Sequence, residues 1–148
     1  RARWQTQAMP QLPADFATHP ARDASLASMN AVEAGDRDTW LGLFADDAIV
    51  EDPIGPSPFC PDGTGHKGKE AIAAFFDSVI GPNQVSFRID QSWAGGPSEV
   101  ANVGTITTRM PDGTVVHTDG VFTYRIDAAG KVVALRAYWE LDRLRFGD

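Results

Sequence analysis

The chain has 148 residues, 43% of them hydrophobic and 22% charged, with a formal net charge of −7, the balance of one globular domain around a single core. Twenty acidic groups against thirteen Lys and Arg repel a phosphate backbone and argue against nucleic acid as a partner. No apolar run approaches the roughly 20 residues that span a bilayer, which argues against a membrane partner; the one cysteine, Cys60, forbids an intrachain disulfide and suits a cytoplasmic location.

In chain order, residues 1–20 read as a flexible N-terminal arm and residues 21–148 as a single domain. Arg1 to Ala8 precede Met9, which suits a start, and no basic stretch leads into an apolar one as in a secretory leader. Arg22 to Ala34 has helical periodicity, with Leu26, Met29 and Val32 on one side and Ser25 and Ser28 among them. Gly35 suits the residue just past a helix. Asp36 can cap a second helix, Arg37 to Phe44, that buries Trp40, Leu43 and Phe44. Ala48 to Asp52 reads as a strand ended by Pro53. The loop Ile54 to Lys67 is rich in proline and glycine, as in segments that cover sites. Lys69 to Ile80 is the clearest helix, with Ile72, Phe75, Phe76 and Val79 on its apolar face and Gly81–Pro82 at its end. Four strands follow, over Val85 to Trp93, Val100 to Met110, Thr114 to Asp127 and Lys131 to Leu141, joined by tight turns. Helices first and antiparallel strands after define an α+β domain.

Strand parity assigns faces. Val133, Leu135, Ala137 and Trp139 share one side of the last strand, and Phe122, Tyr124 and Ile126 one side of the strand before. Val50 shares a side with Asp52, and Ile49 with Glu51. A carboxylate on the apolar side is the most informative feature of the sequence. Phe44, Phe75, Phe76, Phe122 and Trp139 fill a core or line a cavity for a flat apolar ligand. Thr105 and Thr107 share a strand face, either as polar ligand contacts or on a solvated side. His66, Cys60 and Asp62 lie in one loop without the converging ligand set a metal needs, so neither a metal nor another cofactor is expected. His117 and Asp119 fall on the face opposite Phe122, outside the pocket.

The stretch Gly35–Asp36 with Phe44–Ala45–Asp46–Asp47–Ala48–Ile49–Val50–Glu51–Asp52–Pro53–Ile54–Gly55 resembles the ketosteroid isomerase branch of the SnoaL-like, nuclear transport factor 2-like superfamily. So do Gly68–Lys69–Glu70–Ala71–Ile72–Ala73–Ala74–Phe75–Phe76 and Arg136–Ala137–Tyr138–Trp139. The resemblance runs from about Ala24 to Leu141. It implies a cone-shaped curved antiparallel sheet wrapped by about three helices around a deep pocket, often in a homodimer. It also implies a hydrophobic small-molecule ligand and an Asp, here Asp52, that carries a proton from beside a ketone to a site further along the conjugated system. Ketosteroid isomerase is itself a worked example for such chemistry, with a Tyr and a protonated Asp stabilising the enolate oxygen. Those two donor positions fall here on Ser28 and Phe122, and two further tyrosine positions of the family fall on Phe44 and Phe76. The expected site is therefore Asp52 as base, with Ser28, Phe44, Val50, Phe75, Phe76, Thr105, Phe122, Leu135 and Trp139 around the ligand. Replacement of the usual donors leaves three other readings: a polyketide cyclase, dehydratase or epoxide hydrolase of the same superfamily, a non-catalytic binder of an apolar metabolite, and a protein-docking module.

Overall fold

The computed structural model describes residues 10–13 and 16–148; residues 1–9, 14 and 15, all within the expected arm, lie outside the described residues. Helix α1 spans Pro20–Ala34 and α2 Arg37–Gly42. Strand β1 (Phe44–Glu51) and the two-residue β2 (His66–Lys67) precede α3 (Gly68–Phe75), which runs into a π-helical turn, Phe76–Ile80. Strands β3 (Gln84–Gly95), β4 (Glu99–Arg109), β5 (Val115–Ile126) and β6 (Val132–Tyr138) follow. A 3-10 turn, Leu141–Arg143, leads to a short last strand, β7 (Arg145–Phe146). The sheet order is β2-β1-β6-β5-β4-β3, with β7 on β5. Every ladder is antiparallel except β1 with β6. Within the expected arm, Gln11 is tied to the outer edge: its N–H donates to the Phe87 carbonyl at 2.9 Å and its carbonyl accepts from Ile89 N–H at 2.8 Å.

The helix ends follow the local chemistry the sequence announces. His19 Nδ1 accepts from the Ala21 N–H at the start of α1, and Gly35 closes that helix at a φ of 67°, where a side chain would be strained. Asp36 Oδ1 accepts from the Thr39 N–H at the start of α2. This helix is shorter than expected: it stops at Gly42, and Phe44 opens β1 instead of closing the helix. Lys69 to Ile80 is likewise split. Gly81 N–H donates to the Phe76 carbonyl at 2.7 Å, a five-residue step that widens the last turn.

The sheet curls because its middle lacks side chains where strands must approach. Gly104 and Gly120 are register partners on the inner face of β4 and β5. A Cβ on Gly104 would stand 2.1 Å from the Arg88 carbonyl oxygen, beside the register shift between Ile89 and Gln91 in β3. A bulge facing glycine bends a sheet. The helices fill one end of the resulting cone. There Phe44, Val50, Ile72, Phe76 and Val132 form the enclosed core, with Trp40 edge-on to Phe44 at 4.7 Å between ring centroids. Among the described residues, no helix is long and apolar enough to cross a membrane.

Candidate active site

The other end of the cone holds a cavity of about 640 Å³. Its walls are almost wholly apolar. Met29 and Val32 come from α1, Phe75 and Val79 from α3 and its π turn, and Val85, Phe87 and Ile106 from β3 and β4. On β5 every second residue faces in: Val116, Thr118, Phe122 and Tyr124 line the cavity, with Gly120 between them. At the wide end the C-terminal turn borders the cavity with Leu141, Leu144 and Phe146. This apolar enclosure is what a hydrophobic ligand of drug size occupies.

Asp52 is the carboxylate in that wall. It stands just past the end of β1, where the parity of Val50 carries it inward, and Ile54 N–H ties the following chain to the Ala137 carbonyl of β6 at 3.1 Å. Trp139 Nε1–H donates to Asp52 Oδ1 at 2.6 Å. Burial pushes the Asp52 carboxyl above the ordinary carboxylate value, and the Trp139 bond only partly offsets this; loss of water disfavours the charged form. The residue is only partly buried overall, because one side opens on the cavity. No protein group hydrogen-bonds Oδ2 among the described residues, so one oxygen is left to meet a ligand. Trp139 can approach because β5 carries Gly120 at its inner face: a Cβ there would lie 3.1 Å from Trp139 Cβ. Phe59, from the loop after β1, tilts against Trp139 at 6.4 Å between ring centroids and closes over the site.

A second polar group stands deeper, on the same inner face. Ser28 Oγ and Tyr124 OH are hydrogen-bonded at 2.8 Å, and Trp40 Nε1–H donates to Ser28 Oγ at 3.0 Å. Ser28, Trp40 and Tyr124 all line the cavity, and each is buried. Burial, first, and the charge of Asp52 push the Tyr124 phenol well above its usual value, against the opposing Ser28 bond. The phenol therefore stays protonated, a donor rather than an anion.

Of the residues the sequence nominated, Asp52, Ser28, Phe75, Phe122, Leu135 and Trp139 line the cavity. Four do not. Phe44 and Phe76 pack against Trp40 in the closed core, since the early start of β1 and the step of about 100° from Phe75 to Phe76 around the helix direct them away from the opening. Val50 is fully enclosed below the cavity floor. Thr105 lies on the outer face, where its Oγ1–H donates to Asp119 Oδ1 at 2.6 Å and Arg88 donates to it; even-numbered residues of β4 face inward. Trp40 and Tyr124 were not nominated. The signal was present: a tyrosine on the inner face of β5 needs a partner for its hydroxyl once buried, and Ser28 is a small polar residue on the buried face of α1. Among the described residues, no group of three or more His, Cys, Asp or Glu is placed to hold a metal ion.

A curved open sheet with three helices around one apolar cavity is the cone fold of the nuclear transport factor 2-like superfamily. A profile of the SnoaL-like domain matches residues 26–135, and the chain belongs to that family, in its ketosteroid isomerase branch. The chain is 44% identical to the Δ5-3-ketosteroid isomerase from Mycobacterium sp., with a TM-score of 0.85 over 88% of this chain and 100% of that one. It is 42% identical to the protein RV0760c from Mycobacterium tuberculosis, solved in complex with estradiol-17beta-hemisuccinate, with a TM-score of 0.84 over 87% of this chain and 100% of that one. A computationally designed 17-OHP binder is 40% identical, with a TM-score of 0.85 over 88% of this chain and 100% of the binder.

Proposed function

We propose that this protein is a steroid Δ-isomerase-like enzyme in which Asp52 moves a proton on a hydrophobic carbonyl compound, a steroid or a terpenoid of similar shape. The observation that carries this reading is the Asp52 carboxyl itself, set in an apolar wall, held by Trp139 at 2.6 Å and pushed toward neutrality by burial. Such a carboxylate is a stronger base than one in water and keeps the proton it takes. In the reaction, Asp52 takes a proton from the carbon between the ketone and an isolated double bond. The electron pair of that C–H bond moves into the carbonyl, forming a dienolate. Asp52 then returns the proton to the far carbon of the old double bond, which shifts into conjugation with the ketone. The cavity of about 640 Å³ falls in the range of sites that enclose a compound of drug size, and similarity to a ketosteroid isomerase supports the assignment.

The similarity to a steroid complex and to a designed steroid binder favours a second reading, a binder without turnover. One experiment separates the two. A 3-oxo-Δ5-steroid is supplied to wild type and Asp52→Asn, and the ultraviolet absorbance of the conjugated enone is followed. Turnover by wild type and none by the variant is the expected result. Steroid binding by both proteins with turnover by neither would overturn the enzyme reading in favour of the binder.

A further inference from the structure

We propose that Tyr124, positioned by Ser28 and Trp40, donates the hydrogen bond that holds the ligand's carbonyl oxygen and stabilises the negative charge it gains. This deepens the proposed function and rests on Asp52 acting as the base. The argument is an inventory of protons. Trp40 Nε1 can only donate, and it occupies one lone pair of Ser28 Oγ at 3.0 Å. The contact of Ser28 Oγ with Tyr124 OH at 2.8 Å then has two arrangements. Among the described residues Ser28 Oγ makes no third bond, so either arrangement leaves one hydroxyl hydrogen without a protein acceptor, that of Ser28 or that of Tyr124, and an unpaired buried donor is costly. Both residues border the cavity, so a ligand oxygen that accepts there satisfies the pair, and the phenol, the more acidic of the two hydroxyls, is the better donor to it while Ser28 donates to the phenol oxygen.

The Tyr124 hydrogen then points away from Ser28, and Tyr124 borders the cavity. A chain of donors thus runs from Trp40 through Ser28 to Tyr124 and ends at the cavity, and donors in a chain strengthen one another. Asp52 lines the same cavity. Asp52, just past β1, and Tyr124 on β5 stand on one inner face with β6 between their strands, a spacing that lets a base and a donor meet different atoms of one ligand. The serine is too short to reach a ligand that a tyrosine on α1 would meet. The phenol from β5 crosses into the room the serine leaves.

The test uses binding and turnover together, with Tyr124→Phe, which removes one oxygen and keeps the ring. Dissociation constants of 2-naphthol and naphthalene are measured by equilibrium dialysis on wild type and variant. Loss of a neutral hydrogen bond should weaken 2-naphthol about 3- to 10-fold and leave naphthalene unchanged. With a 3-oxo-Δ5-steroid, kcat should fall about 100-fold or more, as when an oxyanion donor is removed elsewhere, while KM changes little. Ser28→Ala should lower kcat about 10-fold without raising KM, and Ser28→Thr, which restores the hydroxyl, should recover most of it. Equal weakening of both aromatic probes, or a Tyr124→Phe enzyme with wild-type kcat, would overturn the assignment. If wild type turns over no steroid, the isomerase reading fails by itself, and the naphthol–naphthalene difference still decides whether Tyr124 holds a ligand oxygen.

Discussion

Substitution of Gly120 by alanine tests whether the sheet's glycine seam sets the site. A Cβ at this position would stand 2.4 Å from the Tyr138 carbonyl oxygen. Real Cβ atoms essentially never come within 3.0 Å of such a neighbour, so β5 and β6 must part by at least 0.6 Å, the difference between 3.0 and 2.4. Forcing a methyl into a packed interior costs about 1–3 kcal/mol. At about 2–4 °C per kcal/mol, the melting temperature should fall by about 2–12 °C. The same Cβ would press on Trp139 Cβ from 3.1 Å, and Trp139 carries the 2.6 Å bond to Asp52. Displacement of a base by part of an ångström should lower steroid turnover about 10-fold or more. Thermal melts followed by circular dichroism and initial rates on a 3-oxo-Δ5-steroid read the two effects. Gly42→Ala, at a glycine with nothing within 4 Å of the added Cβ, is the control and should melt at or above wild type, since alanine favours helix. A Gly120→Ala protein that melts with wild type and turns over steroid at the same rate would refute the close approach of β5, β6 and Trp139 as the support of the base.

Asp52→Asn leaves an oxygen to accept from Trp139, removes the charge and turns the other oxygen into an NH2 group on the cavity side, so it should stabilise the fold at pH 7 by about 0.5–2 kcal/mol. The sign follows from the raised pKa: protonated Asp52 favours the fold below the ordinary value of 3.8, and that contribution is lost as pH rises through the folded value. The gain in melting temperature should therefore shrink as both proteins are acidified below 3.8; coincident melts at pH 7, or a gain that grows in acid, would contradict it. Trp139→Phe removes the donor that lowers the Asp52 pKa, so the acid limb of the pH–rate profile should move to higher pH; an unmoved limb would show that the bond does not tune the base. Asp119 accepts from Arg145 at 2.7 and 2.9 Å, and the pair is about half exposed, so Asp119→Asn should cost under about 1 kcal/mol globally. It should nonetheless loosen the C-terminal turn, and trypsin should cut after Arg143 faster than in wild type. This clamp is present above the ordinary carboxylate value and is lost only as pH falls through the depressed value of Asp119.

The fold and the inward side of Asp52 were legible because both rest on local rules. Two-residue alternation alone puts Asp52 on the side of Val50, and Gly35, Asp36 and Gly81 mark helix ends through backbone and capping chemistry. Depth was not legible. Alternation says which face a residue takes, not how far along the cone it sits, so Val50 and Phe44 share the inner face yet lie in the closed core beneath the cavity floor. Thr105 shows a second limit. Strand β4 carries threonines on both faces, at 105, 107 and 108, and only the pairing of Gly104 with Gly120 fixes which parity points inward. Phe75 and Phe76 show a third: neighbours on one apolar helix face, they divide into cavity wall and core, because successive side chains point about 100° apart.

Ser28 and Tyr124 carry the point furthest, because chemistry at a site is set by where a polar atom ends and not by which element bears it. A tyrosine hydroxyl that reaches a ligand from a helix and one that reaches it from the opposite strand are equivalent donors if both end in the same space. A large residue on one wall and a small one on the other can exchange sizes while the cavity keeps its volume, as in cores that tolerate volume-conserving swaps. Read position by position, Ser28 is a lost donor. Read in three dimensions, it is the acceptor for Trp40 and the partner of Tyr124, and the size that α1 gives up is the room the β5 phenol occupies. The same reasoning explains why Phe122 costs the site less than its place in the family pattern suggests. Phe122 adds apolar wall to the cavity that Asp52 borders, and on the proposed reading the donor it lacks is supplied two residues along the same face of β5, at Tyr124.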